Sequence, residues 1–278
     1  MQVPGAAHKY LPVFAVLALF GIYNIYKSLG SIPEPRSNTG LFELQNKLKP
    51  KRFKVLALGG TRTEAINLPH PTHSFTHILG FPPRNILVSS VTSTESNPLC
   101  VTDHKLNKWN ADVILIEFPF TGAEMLSKNV ESAVKGMEVL INQLRARYPK
   151  AIFIYIHIYS LQSTLVHRTD GLTPLDRSSF SHQDDYVWGG KGFKINEELI
   201  NDMGRIMNAI GGFVYALPRT PDMTDVAYYF DEDWHHLTQE AHNEIAEGIL
   251  KILVTATASY ERGDAVGKVD ASLVCSDE

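Results

Sequence analysis

Cysteine is scarce in this sequence, and neither sign of charge is in large excess. Cys100 and Cys275 are the two cysteines among 278 residues, too few for a disulfide-stabilised scaffold, and no Cys-x-x-Cys pair indicates a zinc site. The formal net charge is -4, so no strongly basic surface points to nucleic acid as a partner. With 44% hydrophobic and 20% charged residues, the composition is that of a globular protein and excludes a disordered or collagen-like chain.

A segment without charged side chains lies near the amino end. It runs from Tyr10 to Tyr26, is mostly apolar, and is flanked by Lys9 and Lys27. A membrane-spanning helix needs roughly 17–25 such residues. We therefore predict that residues 1–27 form a single-pass, type II signal anchor, with the following domain in the secretory pathway or at the cell surface. The alternatives are a cleaved signal peptide, which would give a secreted protein, and a buried core helix.

Residues 28–52 are predicted to be a linker followed by a basic stretch. Residues 28–40 are rich in Ser, Gly and Pro, a composition typical of flexible connections. Residues 1–52 contain seven Lys and Arg but two Glu, so this end is basic while the rest of the chain is acidic. The basic side chains favour a solvated helix end over a lipid-binding patch.

Short apolar runs alternate with helical patterns through the rest of the chain. The runs predict five buried strands, at residues 53–58, 85–89, 112–118, 151–158 and 212–217. Apolar residues at three- and four-residue spacing predict helices at 123–148, 196–210 and 238–254. This alternation predicts an α/β domain over residues 53–257, with a five-stranded parallel sheet covered on both faces. Residues 159–193 are predicted to be a long surface loop, and residues 258–278 a disordered tail.

A hydroxyl group follows the first predicted strand. Ligands bind beyond the carboxyl ends of the strands in open parallel sheets. The first strand ends in Gly59-Gly60-Thr61, where glycines permit a sharp turn that would hold Thr61 at the edge of the sheet, as a nucleophile would be held. The alternative is a turn without chemical function, since neither a Gly-Lys-Ser/Thr nor a G-x-G-x-x-G pattern indicates a nucleotide site.

A carboxylate and an imidazole precede the last predicted helix. Asp233 and His236 form an Asp-x-x-His pattern in which the imidazole can accept a proton and the carboxylate can fix its tautomer. The alternative is helix capping by Asp233 and Thr238, which would require neither His236 nor His235.

Four segments resemble, in order and spacing, the conserved blocks of the SGNH (GDSL-type) hydrolases. The stretch D-W-H-H-L-T-Q-E-A-H resembles the last block, D-x-x-H-L/P-T/S-x-x-G-H, and L-A-L-G-G-T-R-T resembles the first, Gly-Asp-Ser-x-Thr. N-I-L-V-S-S-V-T-S and D-V-I-L-I-E-F-P-F-T-G resemble the second and third blocks. The resemblance covers about residues 53–250. It implies a flavodoxin-like, three-layer α/β/α sandwich and an ester hydrolase or acyltransferase that acts on a glycan, lipid or small ester without a metal or organic cofactor.

The resemblance also assigns roles to individual residues. His236 would take the proton of Thr61, and Asp233 would orient His236. The oxyanion would be held by the backbone N–H groups of Thr61 and Ser90 and by the side chain of Thr121. Further candidates for oxyanion or substrate binding are Gly60, Arg62 and His157; Arg62 as a surface charge and His157 as a core histidine are the alternatives.

The chain departs from the pattern of the family at four of these positions. Thr61 replaces serine, Gly60 replaces the preceding aspartate, Ser90 replaces a glycine and Thr121 replaces an asparagine. Losing one oxyanion donor typically lowers a rate by about 10²–10³-fold. The alternative function is therefore a catalytically inactive SGNH-fold protein that binds a glycan, lipid or protein. The alternative nucleophiles are the hydroxyl groups of Thr63, Ser89 and Ser90.

Overall fold

The computed structural model of the chain describes residues 39–48, 53–64, 68–69, 73–79, 86–89, 110–117, 130–159, 161, 165–167, 169, 171, 186–219, 226–231 and 236–261. The chain divides into two units, Met1–Asn38 and Thr39–Glu278, and the predicted anchor belongs to the first. The anchor, Ser90, Thr121 and Asp233 lie outside the described residues. None of the helices within the described ranges is long and apolar enough to cross a membrane.

Five short strands form one parallel sheet. They are β1 (Val55–Leu58), β2 (Ile86–Ser89), β3 (Val113–Ile116), β4 (Ile152–His157) and β7 (Phe213–Ala216), in the order β2-β1-β3-β4-β7. Leu58 pairs with both Ser89 and Ile116, so β1, β2 and β3 end level at one edge of the sheet. The predicted α/β class with a parallel sheet is confirmed, and each strand lies within a predicted apolar run.

Helices cover both faces of this sheet. They are α1 (Thr39–Leu48), α2 (Thr61–Glu64), α3 (Phe75–Ile78), α4 (Val130–Arg147), α5 (Gly190–Ala209), α6 (Val226–Tyr229) and α7 (Gln239–Glu261). Val55 and Ala57 contribute to one core with α1 and α7, whereas Leu56 and Leu58 contribute to the other with α4 and α5. Because successive side chains of a strand point to opposite faces, β1 is buried on both sides. Each buried side chain of leucine or valine size contributes about 1.5–3 kcal/mol to folding.

Residues 39–48 form α1 and belong to the folded domain, which therefore begins before its predicted start at residue 53. Leu41 and Leu48 of α1 are buried in the core that contains α7. Gln45 Nε2 also donates a hydrogen bond of 2.9 Å to the carbonyl oxygen of Ile78. Leu41, Leu44 and Leu48 have the spacing of one helix face, a pattern that the Ser- and Pro-rich residues before them obscured.

Residues 159–193 contain regular structure that the sequence did not predict. β5 (Leu165–His167) and β6 (Tyr186–Trp188) form an antiparallel pair in which Leu165 lies opposite Trp188. α5 begins at Gly190, whose φ of 72° favours glycine, six residues before the predicted start of this helix. Strands of three residues are too short to produce a recognisable alternation.

The last helix extends beyond its predicted end. α7 continues to Glu261, so the prediction of a disordered tail is wrong for residues 258–261. Leu253 and Ala256 are buried in the core, and Lys251 forms an ion pair with Glu247 one turn earlier. Packing of this apolar face therefore holds the helix past the point at which the polar composition of the tail begins.

Candidate active site

The turn after β1 begins where the sequence predicted it. This turn, residues 59–64, is called the β1 turn below. Thr61 is the first residue of α2, directly after Gly59 and Gly60, at the edge where the parallel strands end. A Cβ atom on Gly59 would lie 2.6 Å from the carbonyl oxygen of Glu117, which is closer than real contacts allow. Glycine is therefore required for the backbones that follow β1 and β3 to approach each other.

The side chain of Thr63 is buried and hydrogen-bonded. Its Oγ1 donates a hydrogen bond of 2.8 Å to Oε2 of Glu117, and both side chains are 1% exposed. The hydroxyl of Thr63 is therefore not available to attack a substrate, and Thr63 is excluded as the alternative nucleophile.

Arg62 is also buried, so its interpretation as a surface charge is wrong. Its Nη1 donates a hydrogen bond of 3.3 Å to the carbonyl oxygen of Ile158, just beyond the end of β4. Its charge lowers the pKa of Glu117, but burial of that carboxyl has the larger effect and leaves the pKa raised overall. Arg62 thus connects the β1 turn to the end of β4.

His157 is a core histidine. Its Nε2 lies 3.1 Å from Oδ1 of Asn196, a residue of α5, and both side chains are buried. Burial, with a smaller effect of the nearby charges of Arg219 and Arg62, lowers the pKa of His157 to about 4, against the opposing effect of the hydrogen bond to Asn196. The ring is therefore neutral near pH 7. Its position favours packing over contact with a substrate.

His236 lies in a loop closed by backbone hydrogen bonds. Phe230 and Leu237 form an antiparallel bridge, and the N–H of Asp231 donates to the carbonyl oxygen of His236 at 3.0 Å. His236 itself is half-buried, so solvent reaches it. Thr238 caps α7, because its Oγ1 accepts a hydrogen bond of 3.3 Å from the N–H of Ala241. The predicted capping role of Thr238 is confirmed.

The loop closed between residues 230 and 237 is called the His236 loop below. The β1 turn and the His236 loop contact two successive residues just beyond the end of β4, Ile158 and Tyr159. Arg62 of the turn contacts Ile158, and Phe230 at the base of the loop packs on Tyr159 with ring centroids 5.8 Å apart. The two segments therefore lie at the same edge of the sheet.

A further histidine, His242, is buried within α7. Its Nδ1 accepts a hydrogen bond of 3.2 Å from the backbone N–H of Phe75, and the two rings stack. Burial lowers the pKa of His242 to about 4. His242 thus joins α7 to α3 as a neutral core side chain, and it has no access to a substrate.

Comparison with solved structures identifies the fold. A two-domain esterase active on acetylated mannans matches with a TM-score of 0.52 at 13% identity, covering 85% of this chain and 58% of its own. The chain has the SGNH hydrolase fold. A family 3 carbohydrate esterase from Clostridium thermocellum also matches (TM-score 0.49, 13% identity, 75% of this chain, 100% of its own), as does the esterase EstA from Pseudoalteromonas sp. (0.46, 14%, 72% and 98%). No protein-family model matches the sequence, and neither does any curated protein.

Thr61 and His236, both predicted from the sequence, lie in segments at this edge of the sheet, whereas Glu117 and Asn196 were missed. Glu117 is the one charged residue in the apolar run I-L-I-E-F, and a charge in such a run indicates a buried partner. No comparable signal in the sequence marks Asn196. Among the residues that the structure describes, no group of three His, Cys, Asp or Glu could hold a metal ion.

Proposed function

We propose that the chain is an SGNH-type ester hydrolase or acyltransferase in which Thr61 is the nucleophile. The observation that carries the proposal is the meeting of the β1 turn and the His236 loop at the end of β4, through Arg62 and Phe230. Among the described residues, His157 and His242 are buried, whereas His236 is accessible, which supports His236 as the base.

In the proposed mechanism His236 takes the proton of the Thr61 hydroxyl as its oxygen attacks the ester carbonyl carbon. The N–H groups of Thr61 and Ser90 and the hydroxyl of Thr121 stabilise the tetrahedral oxyanion. Collapse breaks the ester bond, and the leaving alcohol takes the proton from His236, leaving an acyl-threonine. Water, or an acceptor alcohol in a transferase, then attacks the acyl group with His236 as base; the bond between the acyl carbon and the Thr61 oxygen breaks, and that oxygen recovers the proton from His236. Asp233 orients His236 throughout.

An acetylated glycan is the first substrate class that we propose. The solved structure with the TM-score of 0.52 is an esterase active on acetylated mannans. That similarity concerns the fold, and the substrate of the present chain is our proposal. Small esters and lipid esters are the other two classes to test.

We also propose that residues 1–27 anchor the protein in a membrane, because residues 10–26 form a charge-free apolar segment. The full-length chain should then remain with liposomes after an alkaline wash, and a chain that begins at residue 28 should not. Release of both by the wash would contradict the anchor.

The activity is tested with the full-length chain on acetylated mannan and p-nitrophenyl acetate. Thr61→Ala should lower kcat by about 10³-fold or more, because the nucleophile is lost, and His236→Gln by about 10²–10⁴-fold. The matched control is Thr255→Ala, which removes the hydroxyl of an exposed threonine near the end of α7. Equal rates in the wild-type, T61A and H236Q proteins would reject this mechanism. Binding of the acetylated mannan without turnover would instead support the inactive binding protein.

A further inference from the structure

We propose that Glu117 and Thr63 are positioning residues that hold the β1 turn in the place where Thr61 can attack. The inference rests on the proposed function for its effect on rate. The contacts that it uses are all within the described part of the chain.

The backbone first brings Glu117 beneath the turn. The N–H of Glu117 donates a hydrogen bond of 2.7 Å to the carbonyl oxygen of Leu58, so the pairing of β3 with β1 continues one residue past the strand. The close approach at Gly59 permits this geometry. The carboxyl group of Glu117 is consequently buried at the start of the turn that contains Thr61.

The donors around this carboxyl group lie on both sides of Thr61. They are the Thr63 hydroxyl, 2.8 Å from Oε2, and the backbone N–H groups of Gly60 and Thr63, which also stabilise the charged carboxylate. Arg62 adds an opposite charge to the same group and is itself bonded to Ile158. Gly60, Arg62 and Thr63 thus each interact with a residue that directly follows β3 or β4. Thr61 lies between Gly60 and Arg62 in the sequence.

A threonine nucleophile increases the need for such positioning. The β-branch of threonine restricts χ1, so the direction of its hydroxyl follows the backbone closely. A serine could rotate to correct a small backbone error, whereas a threonine has fewer rotamers available. A displacement of about 1 Å at a reacting group can lower a rate by about 10²-fold. The buried carboxyl group therefore compensates for the stiffness of the side chain that the chain has at this position.

The test compares Thr63→Val, which keeps the shape and removes the hydroxyl, with Thr63→Ser, which keeps the hydroxyl, in the full-length chain. T63V should lower kcat by about 10- to 100-fold with KM changed less than about twofold, and T63S should keep most of kcat. Glu117→Gln provides an independent variant if T63V does not fold. Thr257→Val is the matched control, since Thr257 is a buried threonine on α7 whose Oγ1 has no hydrogen-bond partner among the described residues.

A double variant separates positioning from general stability. In the Thr61→Ser background the loss caused by T63V should be smaller, because the serine hydroxyl can reorient. Equal losses in both backgrounds would overturn the inference, as would wild-type kcat in both T63V and E117Q.

Amide hydrogen exchange keeps the inference testable if the wild-type chain hydrolyses no ester, a result that would reject the proposed function alone. The N–H groups of Gly60 and Thr63 should then exchange faster in T63V than in the wild-type and T257V proteins. Unchanged exchange would overturn the inference.

Discussion

Nε2 of His157 donates a hydrogen bond of 3.1 Å to Oδ1 of Asn196, at the point where the end of β4 packs against α5. A carbonyl oxygen accepts but cannot donate, so this bond fixes the proton on Nε2. Protonation of Nδ1 would place a charge in a buried site. The pair therefore stabilises the folded protein while the ring is neutral.

This pair predicts a loss of stability in acid. The pKa of His157 is lowered to about 4 from an unfolded value near 6.5, so the unfolded chain binds the proton more readily. The stability is present above about pH 6.5 and is lost as the pH falls towards 4, by about 3 kcal/mol for this histidine. Urea unfolding at pH 7.5 and 4.5 measures the loss. His157→Gln should show a smaller pH dependence than the wild-type protein; an equal dependence would contradict the assignment.

The raised pKa of Glu117 predicts that the free energy of unfolding depends on pH in the opposite direction. Burial raises its pKa, so the folded state binds the proton more readily than the unfolded state, and stability is lost as the pH rises through the folded pKa. Glu117→Gln does not ionise. The unfolding free energy of E117Q relative to the wild-type protein should therefore increase between pH 4.5 and pH 8. A constant difference would show that the carboxyl group has an ordinary pKa.

Thr61→Ser should raise the rate of ester hydrolysis. Serine removes the β-branch that crowds the attacking oxygen and restricts its χ1 angle. The expected result is a higher kcat on acetylated mannan, with the same histidine-dependent pH profile. A kcat at or below that of the wild-type protein would mean that the site requires the methyl group of threonine.

Gly59→Ala should destabilise the protein by about 1–3 kcal/mol, because its Cβ would collide with the carbonyl oxygen of Glu117. Gly204→Ala, in α5, is the matched control: its Cβ would meet nothing within 4 Å. In a helix, this substitution should stabilise by about 0.5–1 kcal/mol. Chemical denaturation of the three proteins measures both effects, and a similar change in G59A and G204A would refute the predicted collision.

Local patterns in the sequence predicted the sheet and the three longest of the described helices. The strands are short apolar runs such as Val113–Ile116, and α4 shows apolar residues at helical spacing. The positions of Thr61 and His236 also followed from local motifs combined with the rule that strand ends carry the site. The roles of Thr61, His236, Asp233, Ser90 and Thr121 remain predictions.

The features that were missed depend on contacts between distant parts of the chain. α1 packs against α7, and its ten residues alone did not predict that the domain begins before residue 53. β5 and β6 are three residues each and pair across a long intervening segment. Glu117 and Thr63 lie in different strand-end segments, and neither residue indicates its partner in the sequence.

The two halves of the candidate site differ in their tolerance of substitution. Backbone groups close the loop around His236: Phe230 bridges Leu237, and the N–H of Asp231 donates to the carbonyl oxygen of His236. The β1 turn depends instead on the side chains of Arg62, Thr63 and Glu117. A substitution at any of these three positions removes a side-chain contact that holds the β1 turn, whereas the backbone bonds that close the His236 loop do not depend on the side chains of the residues that form them.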